Sequence, residues 1–223
     1  MKNIILSTSQ KIIAFTGIFV IVIVIGFWCF QTLKAIENKL SFEIKMTILT
    51  DKKAVMIIAF RDFRDEEYFV PKEILEKSGI IVKTASNQKG TAIGADGGEV
   101  NVDLLVSEIN PVEYDVVVFV GGPGCLENLD NEDSYRVAKE TVSQNKVLAA
   151  ICISPVILAK AGVLEGKKAT VWSSSLDKSP VKILKENGAI YQSDSVVVDG
   201  KIITGNGPSA AKEFGEAIVK DLQ

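Results

Sequence analysis

Residues 147–161 read VLAAICISPVILAKA: an apolar, strand-like run meets one cysteine and turns at once into a helix-forming segment. An apolar run of this kind suits a strand buried on both faces, as in a parallel sheet covered by helices. A helix starting directly at its end forces the chain through a sharp bend, and Cys152 sits at that bend. This is the shape of a nucleophile elbow, in which the turn lifts the side chain off the sheet and strains its backbone. The positive end of the following helix points at the sulfur and favours the thiolate, so the segment predicts a thiol pKa below the usual ~8.5. Pro155 suits the first helical turn, where no amide hydrogen is needed. The competing reading is a buried cysteine that closes a core strand.

The same alternation runs through the rest of the chain. Residues 53–60 and 115–120 are further buried strands, the second ending in Gly121-Gly122, and residues 80–85 form another. Helical spacing appears over 66–77, stopped by Gly79, and over 131–143. A shorter strand is predicted at 169–172. Ser179-Pro180 opens a helix that ends at Gly188. Residues 195–203 pair across Asp199-Gly200 as a hairpin, and 209–222 close the chain as an amphipathic helix. Strands alternating with helices predict an open α/β sheet with helices on both faces. Residues 46–223 are read as one such domain.

Residues 1–45 read differently. Residues 12–30 are apolar apart from Thr16 and long enough to cross a bilayer as a helix. No small-x-small cleavage site follows, so the segment is expected to stay as a single-pass anchor, with a polar linker from Ser41 to the domain. Lys2 and Lys11 precede the span while Lys34, Lys39 and Lys45 follow it, a bias toward a cytoplasmic C-terminal side. A start at Met46 would give the domain without the anchor.

Charge excludes some functions. Residues 1–45 carry five Lys and two Glu, and the remainder holds 20 basic and 26 acidic residues. An acidic domain without basic clusters argues against nucleic acid. Three cysteines without CxxC spacing suggest neither a disulfide framework nor a zinc site. The chain has no histidine, which removes every mechanism that needs one.

Ligands of such sheets bind at the carboxyl ends of the strands. Three features should meet Cys152 there. Glu67, early in the first helix after the first strand, is a candidate proton partner; the alternative is a solvated acid in a first helical turn, among Arg61, Asp62, Arg64, Asp65 and Glu66. The run Gly121-Gly122-Pro123-Gly124 lets backbone amides approach a ligand and form an oxyanion site, or is simply a tight turn. Cys125 on that loop is a resolving thiol for an oxidised Cys152, or a small loop residue. Trp172 walls the pocket or belongs to the core.

Taken together, these residues resemble the ThiJ/PfpI family, most closely the branch that contains the Parkinson-associated deglycase. The resemblance runs from about Lys53 to Leu222. It is carried by Glu67 four residues before Pro71, by Val120-Gly121-Gly122, by Ala149-Ala150-Ile151-Cys152, and by residues 196–204 followed by Gly207-Pro208. It implies a flavodoxin-like three-layer α/β sandwich with a mostly parallel sheet, and a homodimer. It also implies Cys152 as the reactive thiol, Glu67 as its hydrogen-bond partner, and Gly122 and Ile153 amides facing the pocket. Three positions depart from family members of the peptidase type. Ile153 stands where they carry a histidine, Leu126, beside Glu127, where they carry an acid, and Trp172 where relatives carry a pocket histidine or tyrosine. A Cys-His-acid triad cannot be assembled, so peptidase activity is not expected.

The expected function is therefore cysteine-dependent glyoxalase or deglycase chemistry on small reactive aldehydes or glycated substrates, with no metal and no cofactor. The alternatives are a redox-sensing or stress-protective module that works through oxidation of Cys152, and a family member without catalysis.

Overall fold

The computed structural model describes residues 27–40, 49 and 51–223. The chain divides into two compact units, Met1–Lys45 and Met46–Gln223.

In the first unit, residues 27–40 form an exposed helix, α1. The expected membrane span at 12–30 is corrected: among the described residues, no helix is long and apolar enough to cross a membrane. A crossing takes about 20 consecutive apolar residues, whereas among the described residues α1 holds residues 27–30 of the apolar run and then Lys34, Glu37 and Lys39. The rest of that stretch lies outside the described residues. The expectations that depended on it, a bilayer partner and a single-pass membrane location, fall with it.

The second unit is built on a seven-stranded sheet. Its central strands are β1 (Lys53–Ile58), β7 (Val116–Phe119) and β8 (Val147–Ile151), and every residue of β7 and β8 is buried. These are the runs whose apolar sequence requires cover on both sides. β3 (Ile81–Ser86) and β6 (Leu104–Leu105) lie beyond β1, and β12 (Ile202–Gly205) and β11 (Val196–Asp199) lie beyond β8, giving the order β11-β12-β8-β7-β1-β3-β6. The pairings are parallel except that of β11 with β12, the hairpin expected around Gly200.

Two apolar clusters cover the two faces. On one, Tyr68 and Leu75 of α2 (Asp65–Lys77) and Phe214 and Ile218 of α7 (Ala211–Leu222) pack on alternate residues of β1, such as Met56 and Ile58. On the other, α4 (Glu132–Ser143), α5 (Pro155–Lys160) and α6 (Ser179–Glu186) supply Val137, Ile157 and Leu184 against Val55 and Ile57. The result is the expected flavodoxin-like α/β sandwich with a mostly parallel sheet.

Short elements escaped the sequence. A separate three-stranded sheet joins β2 (Arg61–Phe63), β4 (Gly90–Gly94) and β5 (Glu99–Val102). The strand expected at 169–172 is only β9 (Lys168–Ala169), paired with β10 (Ile190–Tyr191). The cap expected from Ser179 does not form: Ser179 is the first helical residue after the cap position Lys178, and its N–H donates to Asp177 Oδ1 at 2.8 Å. The chain from Gly122 to Leu129 turns into a short helix, α3 (Cys125–Leu129).

Candidate active site

Cys152 follows directly on β8 and has φ +66°, in the left-handed region that few side chains adopt. The strain is held from both sides. The Cys152 N–H donates to Gly205 O at 2.9 Å, and its carbonyl accepts the Trp172 N–H at 2.8 Å. Inside the bend, the buried Ser154 hydroxyl accepts the Ile151 N–H at 3.0 Å and lies 2.8 Å from the carbonyls of both Phe119 and Ile151. Ser154 thus ties the elbow to the neighbouring strand. Sequence reasoning passed it over because a serine beside Pro155 reads as ordinary helix-start chemistry.

The sulfur opens toward a cavity of about 300 Å³ lined by Arg64, Gly122, Leu126, Ile153, Trp172 and Pro208, among others. Only 9 % of Cys152 is exposed. The backbone N–H groups of Gly122 and Ile153 point at the sulfur and favour its charged form.

Glu67 lies behind the sulfur, not on the cavity wall, and is fully buried. A Cβ added to Gly121 would come within 2.6 Å of Cys152 Cβ and 2.7 Å of Glu67 Oε2, so a bare glycine is what lets thiol and carboxyl converge. Burial raises the Glu67 pKa from 4.5 to about 7, against the smaller opposing pulls of the Cys152 thiol, Arg64 and the Gly121 amide. The thiol and the Gly121 amide approach the carboxyl without reaching full hydrogen-bond geometry, and both carboxyl oxygens lack a formed partner.

The thiol does not behave as its position before a helix suggests. Burial and the neighbouring Glu67 carboxylate push its pKa well up, while the Gly122 and Ile153 amides oppose them. The helix meant to lower it, α5, has only six residues. The physical unit is therefore the pair. Two buried acids this close cannot both ionise freely, so they titrate together and share one proton over the neutral range.

The other expected residues separate. Trp172 and Ile153 line the cavity. Gly121 does not, because its amide faces Glu67. Cys125 is fully buried, absent from the cavity wall, and held as a thiol by burial first and then by the nearby Cys152 and Glu67. Both cysteines are free. Sequence reasoning also missed Arg64, which lines the cavity. The stretch from Arg61 to Glu66 reads as a solvated charged loop, and nothing local distinguishes its inward-facing member.

A methyl group at position 121 tests the convergence. Gly121→Ala places its Cβ 2.9 Å from Ile151 O as well as against the two side chains. It is expected to destabilise the fold by roughly 1–3 kcal/mol through overpacking and to separate thiol from carboxyl. Thermal unfolding of the variant checks this; an unchanged midpoint would contradict the packing described.

Comparison with known proteins agrees with this fold. Residues 52–221 match the model of the DJ-1/PfpI family. An uncharacterized protein of Methanocaldococcus jannaschii is 41 % identical over 176 residues, covering 78 % of this chain and 84 % of that protein. A deglycase of Pyrococcus horikoshii is 32 % identical over 169 residues, covering 76 % and 99 %. Among solved structures, a ThiJ/PfpI domain protein from Brachyspira murdochii superimposes with a TM-score of 0.72 at 38 % identity, over 76 % of this chain and 95 % of that one. DJ-1beta of Drosophila melanogaster superimposes with a TM-score of 0.69 at 29 % identity, over 77 % and 90 %. The chain belongs to the DJ-1/PfpI family.

Proposed function

We propose that the second unit converts small reactive aldehydes through Cys152, by glyoxalase or deglycase chemistry without metal or cofactor, and that it works as a homodimer like the family its sequence resembles. The observation that carries the reading is a strained, cavity-facing thiol with a buried carboxyl of pKa about 7 directly behind it. A carboxyl titrating there is a competent acid and base at neutral pH. The deglycase names of relatives such as the Pyrococcus horikoshii protein point the same way.

With methylglyoxal, Cys152 Sγ bonds to the aldehyde carbon as the carbonyl π bond opens. Glu67 takes the thiol proton and passes it to the new oxygen under the Gly122 and Ile153 amides, which leaves Glu67 a carboxylate. The carbon that bears the remaining hydrogen is then bonded to the sulfur that Glu67 faces. Glu67 removes that hydrogen as a proton, the hydroxyl proton moves to the ketone oxygen, and return of the first proton to the adjacent carbon gives the thioester of lactate. Water cleaves the thioester, so the net change is methylglyoxal plus water to lactate, with the thiol restored.

Lactate formed from methylglyoxal without added thiol or metal, followed by proton NMR, tests the reading. Aldehyde lost only stoichiometrically with protein contradicts it and leaves Cys152 as a reactive but non-catalytic thiol. Oxidation of Cys152 paired to Cys125 gains no support, since Cys125 is sealed in the core.

A further inference from the structure

The cavity wall carries one permanent charge among the described residues, Arg64, and the reaction above does not use it. Apart from Cys152, the remainder of the wall is glycine, proline, leucine, isoleucine and tryptophan. The placement of Arg64 is built. Asp62 takes φ +58° and Gly122 takes φ +115°. A Cβ at position 122 would lie 2.4 Å from Arg64 N, so the backbone of this segment presses directly onto the glycine loop. The Arg64 N–H donates to Gly121 O, and the Gly124 N–H donates to Asp62 O, each at 3.1 Å. The loop that aims an amide at the sulfur therefore also fixes the arginine.

The guanidinium is only partly engaged. Its Nη1 donates to the Asp96 carboxylate at 3.2 and 3.5 Å. Nη2 and Nε donate to nothing among the described residues. Asp96 is the more exposed partner, 61 % against 33 % for Arg64, and Arg64, not Asp96, belongs to the cavity wall.

We propose that Arg64 recognises a substrate carboxylate, and that the dicarbonyls this site turns over carry a carboxylate two carbons from the reacting aldehyde, beyond the carbon that receives the hydrogen. The proposal deepens the aldehyde reading and rests on it. A planar guanidinium with free donors matches a carboxylate in geometry and charge. A pocket of about 300 Å³ is at the lower end of small-molecule sites, and a three-carbon aldehyde leaves much of it unfilled.

Glyoxylate and glyoxal are matched probes, since they differ chiefly in a carboxylate against a second aldehyde. With either, the Sγ–C bond forms as the carbonyl π bond opens, and the thiol proton passes to the new oxygen. Glyoxylate stops at that hemithioacetal, because its carboxylate carbon cannot receive the transferred hydrogen. The measurement is protection of Cys152 in the full chain from iodoacetamide, read by peptide mass spectrometry. Glyoxylate is expected to protect at roughly tenfold lower concentration than glyoxal, the scale of one charge-assisted interaction. Arg64→Gln should bring the two concentrations together, Arg64→Lys should keep part of the preference, and Asp96→Asn should enlarge it. Equal protection in the wild type, a preference that survives Arg64→Gln, or no gain in Asp96→Asn overturns the role of Arg64. Protection by neither probe overturns the aldehyde reading itself.

Discussion

Cys152→Ala is expected to abolish lactate formation from methylglyoxal, a loss of at least ~10³-fold, the scale seen when a nucleophile is removed. No other group can replace the sulfur. The chain has no histidine, and Cys125, the other cysteine of the second unit, is fully buried and off the cavity wall. The alanine variant keeps a Cβ at the elbow, so the backbone strain and the hydrogen bonds to Gly205 and Trp172 are retained. A loss of rate is then a loss of the thiol. Cys125→Ala is the matching control and should turn over. Lactate formation that persists in Cys152→Ala, or vanishes in Cys125→Ala alone, contradicts the assignment.

Glu67→Gln is expected to slow turnover by about 10²-fold, the usual scale for losing a general acid/base, and to change stability in the opposite direction. Glutamine nearly matches the carboxyl in shape but cannot take the thiol proton. The stability effect follows from burial. The folded-state pKa of Glu67 stands at about 7 against an ordinary 4.5, so the folded protein holds this proton more tightly than the unfolded chain. Its contribution is fully present below pH 4.5 and is lost as pH rises to about 7, an order-of-magnitude loss of ~3 kcal/mol. Wild-type thermal stability should fall across that window. In Glu67→Gln the fall should flatten, leaving the variant the more stable protein at pH 8. A variant that is less stable at pH 8, or that turns over normally, removes Glu67 from the site.

Local patterns carried the fold because its central strands are continuous apolar runs and because α2 and α6 stop just before Gly79 and Gly188. The sheet β2-β4-β5 was not legible, because its strands are short, half-exposed and punctuated by glycines. Cys152, Glu67 and the Gly121-Gly122 turn were legible from the elbow, the first helix and the glycine run, whereas the Gly122 and Ile153 amides facing the pocket were implied only by the family resemblance. Arg64 was not, since its role depends on a tertiary contact with Gly122 that no sequence window contains. The direction of the Cys152 pKa was misread for a related reason. A helix start can be seen in sequence, whereas the burial of sulfur and carboxyl side by side cannot. The membrane expectation failed where an apolar run was given a structural role that no described helix fills.

The central claim is that Cys152 and Glu67 act as one buried pair sharing a proton. The rate of iodoacetamide reaction at Cys152, resolved by peptide mass spectrometry from pH 5 to 10, tests it most directly. The reactive state, thiolate beside neutral acid, holds as many protons as thiol beside carboxylate, so it appears when the pair loses its first proton. The wild-type rate should step up near pH 7, where Glu67 titrates, and rise again only in the alkaline range. Glu67→Gln should lose the first step and keep a single rise belonging to the thiol. Superimposable profiles for the two proteins, or faster labelling of Cys125 than of Cys152, would contradict the account.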